Sequence, residues 1–138
     1  MHNSGVMKHV LTAPNAPVTG FTDAAKPAPI AQAIRAGNLV FVSGQGPLDA
    51  NRNVVSADIK EQTHQTLRNL RAILEHAGSG FRDVVNMRVC LRDVGDFPAF
   101  NEAFAAEMAG EKVTRTCIGG TPHRTGVNVE IDCIAYVE

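Results

Sequence analysis

Tryptophan is absent from the 138-residue chain and tyrosine occurs once. A surface that stacks nucleobases draws on aromatic faces, and few are available here. No charge of one sign dominates either, since 13 basic residues against 14 acidic ones leave a formal net charge of −1. A dedicated nucleic-acid binder neutralises phosphates with surplus Lys and Arg, so the balance argues against one and leaves room only for a local basic patch. Cysteine is scarce: Cys90, Cys117 and Cys133 form no C-x-x-C pair. An odd count without ligand spacing argues against a disulfide framework or a zinc ribbon and fits a reducing cytoplasm. No apolar run reaches the roughly 18 residues that span a bilayer. The opening Met1-His2-Asn3-Ser4-Gly5 lacks the charged and apolar regions of a secretory leader. The expectation is a cytoplasmic protein with no membrane partner.

What is present has ordinary globular proportions, 44% apolar and 20% charged. The length suits one domain with one core, read here as 1–138, with a strand near Lys8–Leu11 and an extended arm through residue 28. Gly37-Asn38 between Ala31–Ala36 and Leu39–Ser43 suits a tight hairpin, because both residues accept positive φ. Leu39-Val40-Phe41-Val42 is unbroken apolar and reads as a strand buried on both faces, ended by Ser43-Gly44-Gln45-Gly46-Pro47. Asp58–Ala77 reads as an amphipathic helix. Asp58 caps it, Glu61 completes a box-like pattern, and Ile59, Thr63, Leu67, Leu70, Ile73, Leu74 and Ala77 share one face before Gly78.

Val85, Met87, Val89 and Leu91 alternate with polar neighbours as a half-buried strand. Asp96 caps a second helix with Phe97, Phe100, Phe104 and Met108 inward, Val113–Ile118 forms a short strand, and Val127–Cys133 forms the last. The order β-β-β-α-β-α-β-β implies an α+β fold: a mixed sheet with two helices on one face. The other face is not uniformly polar, so another subunit is expected to cover it.

Two residues stand out for chemistry. Arg115 and Cys117 lie two apart and share a strand face. A guanidinium there suits a carboxylate gripped by two hydrogen bonds, although spacing alone fits a surface arginine better. Glu130 points away from Val129 and Ile131, hence to the uncovered face, where a covering subunit would desolvate it and raise its pKa toward proton shuttling. Alone, it reads first as a solvated strand glutamate. Cys117 reads as small buried filler, as do Cys90 and Cys133. The histidines show no ligand spacing, with His64 and His76 about 120° apart around one helix, so no metal site is expected.

These residues sit within a wider likeness. From about Pro29 to Val137 the chain resembles the RidA (YjgF) family of imine deaminases, known in older usage as endoribonuclease L-PSP. The marks are Gln32-Ala33, Gly37-Asn38-Leu39-Val40-Phe41-Val42-Ser43-Gly44-Gln45 with Pro47-Leu48, Gln62-Thr63 with Asn69-Leu70, and Ala77-Gly78. Further on come Asp96-Phe97 with Asn101, Arg115-Thr116-Cys117, and Val129-Glu130-Ile131-Asp132 with Ile134-Ala135. The resemblance implies a chorismate-mutase-like fold and a homotrimer whose sheets form a central barrel with clefts between subunits. It implies hydrolysis of reactive enamines or imines such as 2-aminoacrylate to a 2-keto acid and ammonia. Arg115 falls on the carboxylate-binding arginine and Glu130 on the water-activating glutamate, while Ser43, Gly44, Asn101 and Cys117 match other cleft positions. No metal or organic cofactor is implied.

Three departures bear on the substrate. Ile30 stands where the family has a cleft tyrosine, Lys112-Val113-Thr114 replaces a proline before Arg115, and the loop Pro122-His123-Arg124-Thr125-Gly126 replaces an L-P-K-like run. Two further readings stand beside the deaminase: an RNase or translation inhibitor, as the older family name implies, and a non-catalytic trimer that binds small carboxylates.

Overall fold

In the computed structural model, which describes residues 7–17 and 28–138, strands and helices follow the expected order. They are β1 (Lys8–Leu11), β2 (Ala33–Ala36), β3 (Leu39–Gln45), α1 (Ile59–His76), β4 (Val84–Leu91), α2 (Phe97–Met108), β5 (Thr114–Gly119) and β6 (Val129–Tyr136). Short 3₁₀ turns at Phe81–Asp83 and Val94–Asp96 precede β4 and α2. Residues 1–6 and 18–27, which include most of the expected arm, lie outside the described residues.

The six strands form one sheet in the order β1-β2-β3-β6-β4-β5. Both β3 and β4 run antiparallel to β6, so they are parallel to each other, and β4 pairs with β5 in parallel. The chain thus makes two β-α-β crossovers, through α1 and through α2, stepping the same way across the sheet. Crossovers of one hand then put both helices on one face. Their buried side chains, among them Leu67, Leu70, Leu74, Phe100 and Phe104, join Val40, Val42, Met87, Val89, Ile131 and Cys133 of the sheet in one core.

Local chemistry sets the boundaries. Gly37 adopts φ +60° in the two-residue turn between β2 and β3. Asp58 caps α1 by accepting the Glu61 N–H at 2.9 Å. At the other end Gly78, φ +84°, allows a Schellman closure in which Ser79 N–H donates to the Leu74 carbonyl at 2.8 Å and Gly78 N–H to Glu75. The two helices are tied by Glu107 of α2, 2.7 Å from His64 Nδ1 and 2.8 Å from Arg71 Nη2. Burial pushes the Glu107 carboxyl up, but the hydrogen bonds from His64 and Arg71 outweigh it and hold the pKa below the usual value.

Several expectations are corrected. Leu39 and Phe41 are 39% and 43% exposed, so β3 is buried on one face only, and its unbroken apolar run reflects an open face that is itself apolar. Exposed Ile118 and Tyr136 lie on that same face. Ser43-Gly44-Gln45 does not end β3 but belongs to it. A bulge between Val42 and Gln45 inserts one residue, so that Gln45 returns to the core while Ser43 and Gly44 stay beside the open face. A second irregularity between Val84 and Asn86 leaves Val84 buried and Val85 exposed, one step out of the expected phase. Phe97 is 38% exposed rather than inward. Asp96 occupies the cap position of α2 without a side-chain cap bond, whereas Asp93 accepts the Gly95 N–H at 2.8 Å in the preceding turn. The last strand begins at Val129, not Val127, and runs on to Tyr136.

Two buried carboxamides on α1 set the loops beyond β3 and before β6. Gln62 donates to the carbonyls of Ser56 at 2.7 Å and Gly126 at 2.8 Å, and accepts the Asn128 N–H at 2.8 Å. Asn69 donates to the carbonyls of Gly46 and Leu48, both at 3.0 Å. Gln62→Ala removes three buried partners at once, so urea unfolding should show a loss of roughly 2–4 kcal/mol. A loss under 0.5 kcal/mol would mean that this clamp contributes nothing.

Candidate active site

Strand alternation divides the seven candidate residues into two groups. Arg115 and Cys117 pair in register with Met87 and Val89, whose side chains are in the core, so both lie on the helix side of the sheet at its β5 edge. Glu130 pairs with Cys90 on the opposite face of β6. The two sites are separated by about 10 Å across the sheet and about 10 Å along it, with side chains on opposite faces. Within one chain they do not converge.

On the helix side, α2 presents an aromatic row at i, i+3 and i+7. The Arg115 guanidinium carbon lies 4.7 Å from the Phe104 ring centre, 5.5 Å from Phe97 and 5.6 Å from Phe100. Its Nη1 donates to Asn101 Oδ1 at 2.8 Å. Among the described residues no carboxylate forms an ion pair with it. The charge is therefore held by ring faces and one amide, which orient it without neutralising it. The exposure of Phe97 follows from this role. Cys117 packs against the core beside it.

On the open side, Glu130 lines a cavity of about 490 Å³ together with Ile30, Ser43 and Gly44. The bulge in β3 brings the backbone close. A Cβ on Gly44 would sit 2.9 Å from Glu130 Oε1, so the missing side chain is what lets the carboxylate lie there. Ser43 Oγ donates to the Ala31 carbonyl at 2.6 Å and its N–H donates to Gln32, which fastens the Ile30 segment beside β3. With its proton so engaged, the Ser43 oxygen is free to accept. Ile30 is 56% exposed and contributes an apolar wall. The cavity also draws on Gly46, Arg52, His123 and Arg124, none of which was singled out as a site residue from sequence. The signal for two of them was present in the altered Pro122–Gly126 loop.

The thiols are ill suited to nucleophilic attack. Burial pushes Cys133 up to about 12. Burial also raises Cys117, against the opposing pull of Arg115, and it raises Cys90, helped by the negative charge of Glu130. Among the described residues no three His, Cys, Asp or Glu side chains cluster as metal ligands, and no helix is long and apolar enough to cross a membrane.

The mixed six-stranded sheet with two helices on one face is the architecture of the L-PSP/YjgF proteins. The family model for endoribonuclease L-PSP matches residues 22–137, and the chain belongs to that family. It is 40% identical over 134 residues to a RutC family protein of Pyrococcus horikoshii, covering 96% of this chain and all of the relative. It is 36% identical over 111 residues to the 3-aminoacrylate deaminase RutC of Acinetobacter baylyi, covering 80% of this chain and 88% of that one. Among solved structures, E. coli TdcF with bound serine superposes with a TM-score of 0.81 at 28% identity, over 94% of this chain and 99% of TdcF.

Raised thiol pKa values leave little thiolate at neutral pH. At pH 7.5 the native protein should therefore react with an aromatic disulfide at least about tenfold more slowly than a free cysteine, and all three thiols should react on unfolding. One fast thiol in the native state would show that a thiolate is available for nucleophilic attack after all.

Proposed function

We propose that the protein hydrolyses reactive enamines and imines of small carboxylic acids, 2-aminoacrylate-like in chemistry, to 2-keto acids and ammonia. The observation that carries this reading is the state of Arg115: a cation fixed by three rings and Asn101, with no carboxylate of its own among the described residues. Such a group is prepared for an incoming carboxylate, which it would grip through parallel N–H donors. The 3-aminoacrylate deaminase among the relatives acts on an enamine of a small carboxylic acid, and the serine of TdcF is a small carboxylate.

The enamine tautomerises to an imine, and protonation of the imine nitrogen makes the C=N carbon electrophilic without any cofactor. Glu130 accepts a proton from water as the water oxygen bonds to that carbon. It then gives that proton to nitrogen, and as the C–N bond of the carbinolamine breaks to release ammonia the hydroxyl proton passes back to Glu130, which leaves the keto group. The Ser43 oxygen accepts a hydrogen bond from the substrate N–H. Since Arg115 and Glu130 of one chain face opposite ways, this chemistry needs the arginine of one chain beside the glutamate of another. The exposed apolar residues Leu39, Phe41, Ile118 and Tyr136 supply a surface for that association, which we propose is a homotrimer with clefts between subunits. Three unpaired thiols favour a reducing compartment such as the cytoplasm.

A non-catalytic carboxylate binder is the second reading, favoured by the apolar Ile30 in a wall that could otherwise carry a hydroxyl. The two readings separate in one assay, with 2-aminoacrylate generated in situ by a dehydratase and keto-acid release followed over the spontaneous rate. We expect acceleration by the native protein, a fall in kcat/KM of about 100-fold or more in Arg115→Ala, and a fall in kcat of about 10²–10⁴ in Glu130→Gln. Keto-acid binding without acceleration would establish the binder, and an unchanged rate in Arg115→Ala would remove the anchor.

A further inference from the structure

Beside Glu130 the cavity is larger than a three-carbon enamine needs. At about 490 Å³ it falls in the range that accepts far bulkier ligands. The room comes partly from Gly46, where a Cβ would meet, among the described residues, Val127 alone within 4 Å, at 3.6 Å. Leu48 and Val127 give this end an apolar floor, and its rim is basic, with Arg52 from one loop and His123 and Arg124 from another. Against these, Glu130 is the one carboxylate among the described lining residues. Neither Arg52 nor Arg124 forms an ion pair among the described residues.

Arg52 also stands where the backbone favours another residue. It has φ +65° in the tight turn in which Arg52 N–H donates to the Asp49 carbonyl and Asp49 N–H to that of Asn53. Glycine would occupy this left-handed position without strain, whereas a side chain there costs on the order of 1 kcal/mol. The guanidinium of Arg124 donates to the Arg52 carbonyl, so the two basic loops are tied together at the lip. A strained residue held in place at the lip of a cavity points to a use for its side chain.

We infer that the imines taken by this site carry a second carboxylate on their side chain, as 2-iminosuccinate and 2-iminoglutarate do. This rests on the deaminase reading and names its substrate class. With the α-carboxylate on Arg115 and the imine carbon at Glu130, the side chain extends over Leu48 and Val127. Its terminal carboxylate meets Arg52 and Arg124, with His123 adding charge when protonated. Water adds to the C=N carbon and ammonia leaves as before, so the product is a 2-keto dicarboxylic acid.

The test compares imines made in situ by amino-acid oxidases from aspartate and glutamate with those made from leucine and methionine, with semicarbazide trapping as the clock. The native protein should show kcat/KM at least about tenfold higher for the dicarboxylic imines. Arg124→Ala and Arg52→Gly should each shrink that ratio by about tenfold, the loss of one charge-assisted contact. Arg52→Gly should at the same time unfold at a higher temperature, which separates loss of the side chain from damage to the fold. Hydrolysis of imines with neutral side chains as fast as dicarboxylic ones, or a ratio that neither variant moves, would overturn the inference while leaving the deaminase intact. Hydrolysis of none of the four imines would overturn the deaminase reading itself, and this inference with it.

Discussion

The constraint on which the rest depends is that a sheet with a two-residue side-chain period is covered by helices on one face only. In β6 this sends Val129, Ile131, Cys133 and Ala135 into the core and turns Glu130 to the open side. In β5 it turns Arg115 and Cys117 toward α2. Arg115 and Glu130 are thereby separated by the thickness of the sheet. A chain built this way holds two half-sites, and the proposed chemistry requires that neighbouring chains complete them. The apolar open face and the divided site are two consequences of the same one-sided cover.

Arg115 and Glu130 are each positioned by the residues packed around them. The row Phe97, Phe100 and Phe104 on α2 gives Arg115 three ring faces, and Asn101, between them on the helix, supplies the hydrogen bond that aims it. On the other side, the bulge after Val42 and the missing side chain at Gly44 let the Glu130 carboxylate lie against β3. Gln62 and Asn69 hold the backbone at Gly46, Leu48, Gly126 and Asn128 from within the core. α1 therefore has two functions. Its leucines and isoleucines build the core, and two amides on the same buried stripe shape the cavity by satisfying carbonyls and an N–H where the strands give way to loops. Burying a polar group is costly unless it is paired, and six bonds pair the two amides.

Most of the architecture was legible in the sequence because the periods were clean. Val129-Glu130-Ile131-Asp132-Cys133 announced both the strand and the direction of Glu130, and Asp58 with Gly78 bracketed α1 to within a residue. Legibility failed where two physical demands overlapped. Leu39 and Phe41 looked like core because an exposed apolar strand face has the same composition as a core. Phe97 looked inward because an aromatic that serves as a ring face for a cation keeps helical spacing with its buried neighbours. The bulges at Val42–Gln45 and Val84–Asn86 leave no mark in hydrophobic pattern, since they come from pairing with a strand far away in sequence. Arg115 and Glu130 were each unremarkable alone and gained meaning from the family pattern. Arg52 escaped notice because its left-handed backbone is imposed by the Asp49–Asn53 turn, where a glycine would have been the readable sign.

The central claim, that Arg115 of one chain serves Glu130 of another, is tested most directly by mixing two inactive variants. Arg115→Ala and Glu130→Gln chains would be unfolded together in equal amounts, refolded, and assayed for keto-acid release from in-situ 2-aminoacrylate. If each site draws its arginine and its glutamate from different subunits, about one site in four is intact, and activity should return to about a quarter of native. A mixture no more active than its parents, with mixed assemblies shown to form by mass, would contradict the account and confine the site to a single chain.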